Sequence, residues 1–289
     1  MAGPEALVYL NGQFVSESQA RVSVFDRGFL YGDGVFETMR SYDGRIFQLD
    51  RHMGRLRRSA DIIGLDLRRE PRQLGEILTR LIELNGLGDA ILRISVTRGR
   101  ATGGIGVARA GEPSIVAFAR PPAPLPAKAY TDGVSARIVS IRSFPTGSLD
   151  SRVKSMNFLN YILARAEAEE SGAYEAIMLN QSGDIAEAST ANIFFAGDGR
   201  LVTPSLESDI LPGITREVTL GLAAEMDIAI EERRIEPPET AGFDECFLTS
   251  SGIELLPITK IDDAPVGVGK PGPIHSRLHE AYRRLAQRG

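Results

Sequence analysis

The chain is 289 residues long, with 43% hydrophobic and 25% charged side chains and a net charge of −5. That is ordinary globular composition with material for two domains, and the acidic balance argues against a dedicated nucleic-acid binder. One cysteine, Cys246, excludes an internal disulfide framework and a cysteine-based zinc site.

Along the chain, Ala6–Leu10 and Gln13–Val15 flank an Asn11-Gly12 turn and predict a hairpin. Val35–Tyr42 and Arg45–Phe47 repeat the device around Asp43-Gly44. Asp50 precedes a helix carrying Met53, Leu56, Ala60 and Ile63 at helical spacing; a second helix opens at Pro71, places Leu74, Ile77, Leu78, Leu81 and Ile82 on one face, and ends before Gly86. Strands follow at Ala90–Thr97 and Ser114–Ala119. The stretch after Arg120, Pro-Pro-Ala-Pro-Leu-Pro126, is stiff and extended, and it sets the domain scheme: 1–120 a small N-terminal domain, 121–131 a linker, 132–289 a large C-terminal domain.

Beyond the linker the sequence predicts a strand at Val134–Ile141 and a helix around Asn157–Glu170 whose Phe158, Leu159, Ile162 and Leu163 point inward. Strands at Tyr174–Leu179 and Asn192–Phe195 precede a helix from Gly213 to Met226. Further strands near Ile228–Arg234, Glu245–Thr249 and Leu255–Ile258 lead to a last helix at Pro273–Gln287. The pattern is α+β in both domains, with mixed sheets. Cys246 reads as a buried strand residue. No apolar run approaches the ~20 residues of a membrane span and no leader precedes the first strand, so the expectation is a cytoplasmic protein with no membrane partner. His275 and His279 lie one helical turn apart, with only Glu280 as a nearby carboxylate in sequence, and do not read as a metal site.

Chemistry concentrates on few residues. Only four of the 33 Lys+Arg are lysines: Lys128, Lys154, Lys260 and Lys270. Lys154 alone leads an apolar helix, where desolvation would free its amine as a Schiff-base nucleophile; an exposed lysine ahead of a helix is the plainer alternative. Glu187 lies among small residues in Asp184-Ile-Ala-Glu187-Ala-Ser-Thr-Ala-Asn192, where Ala188, Ser189 and Ala191 leave room for a flat ligand. Leu211-Pro-Gly-Ile-Thr215-Arg216 opens a helix whose first N–H groups could seat a phosphate, and Arg55 could add a bidentate fork. Gly103-Gly-Ile-Gly106 has no following helix and reads as a pocket loop rather than a dinucleotide site.

In order, Tyr31-Gly-Asp-Gly-Val-Phe-Glu37-Thr, His-Met-Gly-Arg55-Leu, Lys154 with Asn157, Glu187 with Asn192, Leu-Pro-Gly-Ile-Thr-Arg216, and Leu-Thr-Ser-Ser251-Gly resemble the class IV (fold type IV) aminotransferases, over nearly the whole chain. These pyridoxal-phosphate enzymes include branched-chain and D-amino-acid aminotransferases and aminodeoxychorismate lyase. The resemblance implies a fold type IV enzyme with pyridoxal 5′-phosphate bound covalently at Lys154 and its pyridine nitrogen facing Glu187. Arg55, Ile214, Thr215 and Ser251 would hold the phosphate, and Leu211 would pack on the ring. It implies Tyr31, Phe36, Arg40, Arg93, Arg98 and Gly252 as substrate contacts, an amino donor with a 2-oxo acid acceptor as partners, and a homodimer or higher homo-oligomer.

Departures bear on substrate. Ser-Met-Asn157-Phe-Leu159 replaces the Gly-Gly-Asn-Tyr that follows the lysine in branched-chain enzymes, so the ring-oxygen tyrosine is missing from its place. The Arg-x-His carboxylate clamp of D-amino-acid enzymes is replaced by Gly103-Gly-Ile105, whereas Arg40 and Arg93 match branched-chain positions. The expected reaction is therefore transamination of a branched-chain L-amino acid with an acceptor such as 2-oxoglutarate. A D-amino-acid or (R)-amine transaminase, and a carbon–carbon lyase giving 4-aminobenzoate, are the alternatives. A binding relative without activity is disfavoured by the retained Lys154, Glu187, Arg55 and Thr215.

Overall fold

The structure is a computed structural model that describes residues 5–123, 125–145 and 147–288. The chain divides into two compact units. One takes the chain through Ala123 together with Val153–Phe158; the other takes the segments ending at Arg152 and running from Leu159 to Arg288.

The first unit contains β1 (Leu7–Leu10), β2 (Gln13–Ser16), α1 (Arg27–Tyr31), β3 (Gly34–Tyr42), β4 (Arg45–Ile46), α2 (Leu49–Ile62), α3 (Pro71–Leu84), β5 (Ala90–Thr97) and β6 (Ser114–Arg120). Its strands form one sheet in the order β2-β1-β6-β5-β3-β4, antiparallel throughout. Strand alternation sorts the two faces. Val35, Met39, Leu92, Ile94, Val96 and Ala117 join Leu56, Leu74, Leu78 and Leu81 of α2 and α3 in one buried core. The opposite parity puts Phe36, Arg40 and Arg93 on the other face. The predicted start of α3 is made by Pro71 in its first turn and a capping box between Glu70 and Gln73. α2 begins two residues earlier than expected, so Asp50 lies inside its first turn.

The segment Val153–Phe158, expected in the C-terminal domain, instead extends the first unit's sheet. Phe36 N donates to Lys154 O at 3.0 Å and Met156 N to Gly34 O at 2.9 Å. Gly34 permits this approach: a Cβ there would meet Val96 O at 2.7 Å and Met156 Sδ at 2.8 Å.

The second unit contains α4 (Ala127–Thr131), β7 (Val134–Arg142), α5 (Leu159–Glu170), β8 (Glu175–Leu179), β9 (Ile185–Ala188), β10 (Asn192–Gly197), β11 (Arg200–Pro204), α6 (Ile214–Glu225), β12 (Ala229–Arg233), β13 (Glu245–Ser250), β14 (Glu254–Ile261), β15 (Ala264–Pro265) and α7 (Pro273–Arg288). Its sheet runs β12-β11-β10-β13-β14-β7-β8-β9, with β15 paired to β14, and it is mixed: β11–β12, β14–β7 and β7–β8 are parallel. Ile177, Ile185, Ile193, Phe195, Leu248 and Leu256 fill its core, and Cys246 is buried among them.

Two sequence expectations change here. Residues 127–131, placed in the extended linker, form α4 with Pro126 as its N-cap. The face of α5 is also reversed: Leu159, Ile162 and Leu163 are exposed, while Ala164 and Ala168 are buried against Val139, Ala176 and Met178. The small alanine side chains let the helix lie close on β7 and β8, and the bulky residues are left outside.

Candidate functional site

Within the first unit, Lys154 is held through its backbone, its N–H donating to Ser59 Oγ on α2 at 3.1 Å. Its Nζ lies 4.6 Å from the centroid of the Phe36 ring. The Arg93 guanidinium stands 3.7 Å from the same centroid, and Phe158 meets that ring edge-on at 5.3 Å. An amine, an apolar wall and a guanidinium are thus gathered around one aromatic side chain. Burial, with the neighbouring Arg120 charge, pulls Arg93 below the ordinary arginine value.

Arg55, on α2, is buried, and Glu37 on β3 engages it bidentately: Nε donates to Oε1 at 2.7 Å and Nη2 to Oε2 at 2.8 Å. His52 Nδ1 lies 2.8 Å from Glu37 Oε2. Burial alone would push the Glu37 carboxyl up; the Arg55 charge and the hydrogen bonds from Arg55 and His52 outweigh it and hold it well below the usual carboxylate range. Burial also pushes His52 down, and the Arg55 and Lys154 charges act the same way, against the pull of Glu37.

The other sequence candidates of this unit fare differently. Arg40 is half-buried, with its guanidinium 4.8 Å from the Tyr42 ring. Tyr31 is exposed at the end of α1. Arg98 is committed to the fold: it donates to both Asp33 oxygens, to Gly64 O and to Ile63 O, all within 3.1 Å. Those bonds engage all three guanidinium nitrogens in holding the fold.

Within the second unit, Glu187 on β9 is buried. Its Oε2 accepts from Asn192 Nδ2 and from Leu211 N, each at 3.1 Å, and Asn192 Nδ2 also donates to Leu211 O at 2.9 Å. The Asn192 side chain sits so close to the start of α6 that a Cβ on Gly213 would meet its Oδ1 at 1.9 Å. Gly213 is the N-cap of α6 and offers no side-chain cap, and Ile214 and Thr215 behind it are buried. A buried helix start without a capping side chain leaves its first amides to an outside acceptor. Ser251 and Gly252 occupy the turn that joins β13 to β14. Tyr161 of α5 lies in the field of Glu187; burial, with that carboxylate, raises its phenol well above the ordinary value.

Sequence reasoning reached Lys154, Arg55 and Glu187 but gave no role to Glu37, His52 or Tyr161. A carboxylate in an otherwise apolar strand, Val-Phe-Glu37-Thr-Met, was the available signal for Glu37. Among the described residues no group of His, Cys, Asp and Glu is placed to hold a metal, and no helix is long and apolar enough to cross a membrane.

Comparison with known proteins identifies the family. The family described as Amino-transferase class IV matches residues 34–261, and the chain belongs to that family. A Methanocaldococcus jannaschii protein with the provisional name of branched-chain-amino-acid aminotransferase is 38% identical over 96% of each chain. D-alanine aminotransferase of Bacillus licheniformis is 34% identical, covering 96% of this chain and 95% of its own. Among solved structures, the branched-chain aminotransferase of the thermophilic archaeon Thermoproteus uzoniensis with norvaline is similar with a TM-score of 0.92, at 34% identity, over 98% of this chain and 96% of that one. The fold is accordingly that of the fold type IV aminotransferases, which use pyridoxal 5′-phosphate.

Proposed function

We propose that this class IV aminotransferase transfers the amino group of a branched-chain L-amino acid to a 2-oxo acid such as 2-oxoglutarate, with pyridoxal 5′-phosphate as cofactor. The observation that carries the reading is the set of groups around Phe36: the Lys154 amine at 4.6 Å, an aromatic wall, and a guanidinium, Arg93, at 3.7 Å from that wall. The wall suits an aliphatic side chain, and the guanidinium suits the second carboxylate of 2-oxoglutarate or glutamate, so one pocket can take both partners in turn.

The residues present fit the cofactor. In the second unit the uncapped start of α6 is an anion seat and Glu187 a buried carboxylate for a protonated pyridine nitrogen; in the first, Lys154 is an amine for an aldehyde and Arg55 a guanidinium for phosphate. The cofactor supplies that aldehyde and a ring that spreads the electrons left behind when a Cα proton departs. Lys154 would hold the cofactor through Nζ, and the same amine would move the proton to and from the substrate's Cα. Glu187, oriented by Asn192 and the Leu211 amide, keeps the ring nitrogen protonated. Glu37 takes two of the N–H donors of Arg55 and so fixes the plane in which the guanidinium meets phosphate. Arg40 and Tyr31 are carried as outer contacts to substrate, with Gly252 beside Ser251.

A second reading, D-amino-acid transamination, is favoured by Ser155-Met156-Asn157 after the lysine and by the 34% identity to a D-alanine aminotransferase. One panel separates the two. Leucine or isoleucine with 2-oxoglutarate gives glutamate under the first; pyruvate and D-glutamate formed from D-alanine and 2-oxoglutarate, without turnover of leucine or isoleucine, establish the second. Borohydride reduction and peptide mapping place a pyridoxyl adduct on Lys154, and an adduct on Lys128, Lys260 or Lys270 refutes the site.

A further inference from the structure

His275 and His279, singled out in the sequence and not used by the reaction, belong to a device of their own on one face of α7. His275, His279 and Arg283 recur every fourth residue and therefore line one stripe of the helix. All three reach the same short stretch of chain. His275 Nε2 lies 3.2 Å from Leu255 O; His279 Nε2 and Arg283 Nε each lie 2.9 Å from Glu254 Oε2. From α4, Tyr130 stacks on His279 at 5.4 Å and its hydroxyl donates to Ile253 O at 3.1 Å.

Glu254 is the closing residue of the turn that carries Ser251 and Gly252, pairing with Ser250 across it. Its backbone has φ of +57°, a left-handed conformation that glycine adopts freely and a side chain resists. A glutamate is kept there with its carboxylate 2% exposed, and a histidine and an arginine from another element close on it. The side chain therefore supplies what glycine could not: a tie from the turn to α7.

We infer that Glu254 is a positioning residue for cofactor binding: clamped by His279 and Arg283, it sets the Ser251–Gly252 turn at the height where the Ser251 hydroxyl meets the cofactor phosphate. The inference rests on the proposed pyridoxal-phosphate site and extends it to three residues that touch neither cofactor nor substrate. The last helix becomes part of the phosphate cradle through this carboxylate.

The test measures pyridoxal-phosphate dissociation from holoenzyme, together with the phosphorus NMR signal of the bound phosphate. Glu254→Gly keeps the turn's backbone accessible and removes the tie; His279→Gln is a milder second variant should the first not fold. Each is expected to weaken cofactor affinity about tenfold and to shift the phosphorus resonance. Combined with Ser251→Ala, each should cost no more than the worse single change, because both act through one hydroxyl. Unchanged affinity with a lowered melting temperature of the apo-protein would overturn the inference, as would losses that multiply with Ser251→Ala. If the unsubstituted protein took up no pyridoxal phosphate, the functional reading itself would fall.

Discussion

Glu37 and Glu187 are both buried strand carboxylates, and their surroundings give them different work. Glu37 meets Arg55 through both oxygens and His52 through one, in a place where neither charge has water to fall back on. Glu37→Gln leaves the Arg55 guanidinium buried beside a neutral amide, and should destabilise the protein by about 3 kcal/mol in urea unfolding. The same pair gives the protein an acid limit. The folded carboxyl titrates below its unfolded value of 4.5, so its contribution is complete above that value and is lost as pH falls beneath it. Glu187 accepts from neutral donors, and Glu187→Gln preserves shape and most hydrogen bonding. That variant should bind cofactor and unfold at the same urea concentration while turning over about 10²-fold more slowly, because only the charge opposite the ring nitrogen is gone. Cofactor loss on dialysis, or unchanged turnover, would contradict the role. Lys154, Arg55 and Glu187 are singled out by their combination and order along the chain, since none of the three is distinctive in its local setting. Glu37 and Arg55 are 18 residues apart on different elements, and nothing in either local pattern announces the pair. The capture of Arg98 by Asp33 and two carbonyls was invisible for the same reason.

At the scale of elements, turn chemistry and apolar periodicity carried most of the reading. Asn11-Gly12 and Asp43-Gly44 adopt the positive φ angles that close β1–β2 and β3–β4, and the apolar stripe of α3 is the buried one. Short elements escaped: β9 has four residues and α1 five, too few for a period to show. The α5 stripe was legible but misassigned, because an apolar face marks what avoids water without saying which neighbour covers it. For α7 the sequence showed two histidines and withheld their partners, which arrive from β14. His275 is buried, and burial lowers its pKa to about 4, against 6.5 in the unfolded chain. A depressed histidine pKa means that the unfolded state binds the proton first. Stability is therefore undiminished above pH 6.5, falls as pH drops toward 4, and loses about 2 kcal/mol by pH 5. Urea midpoints at pH 7 and pH 5 measure this. His275→Leu should be less stable at pH 7, for want of the bond to Leu255 O, yet show a smaller drop between the two values. An equal drop would place the acid sensitivity elsewhere.

At the scale of the whole molecule, a chain with a net charge of −5 and an ordinary composition leaves a concentrated apolar surface uncovered. Val24, Phe25, Phe29, Leu30 and Tyr31 are exposed around α1, and Ile105 and Val107 are exposed on the loop beside it. Arg27 binds the two segments into one surface by donating to Gly104 O and Ile105 O. Phe29 is 74% and Ile105 79% exposed, a cost that a monomer would shed by substitution and that a partner removes by burial. A second copy of this chain is the simplest occupant, since a two-fold axis buries the same patch twice and needs no other gene product. The expected state is a homodimer, with a mass of two chains by light scattering. Phe29→Glu with Ile105→Glu places two charges at the centre of the patch and should give a folded monomer with an unchanged far-ultraviolet spectrum. Because Tyr31 lies in the same surface, the monomer should keep its cofactor and lose turnover through a raised KM. A native protein that runs as one chain, or a charged variant that still dimerises with full activity, would show that this surface serves something other than self-association.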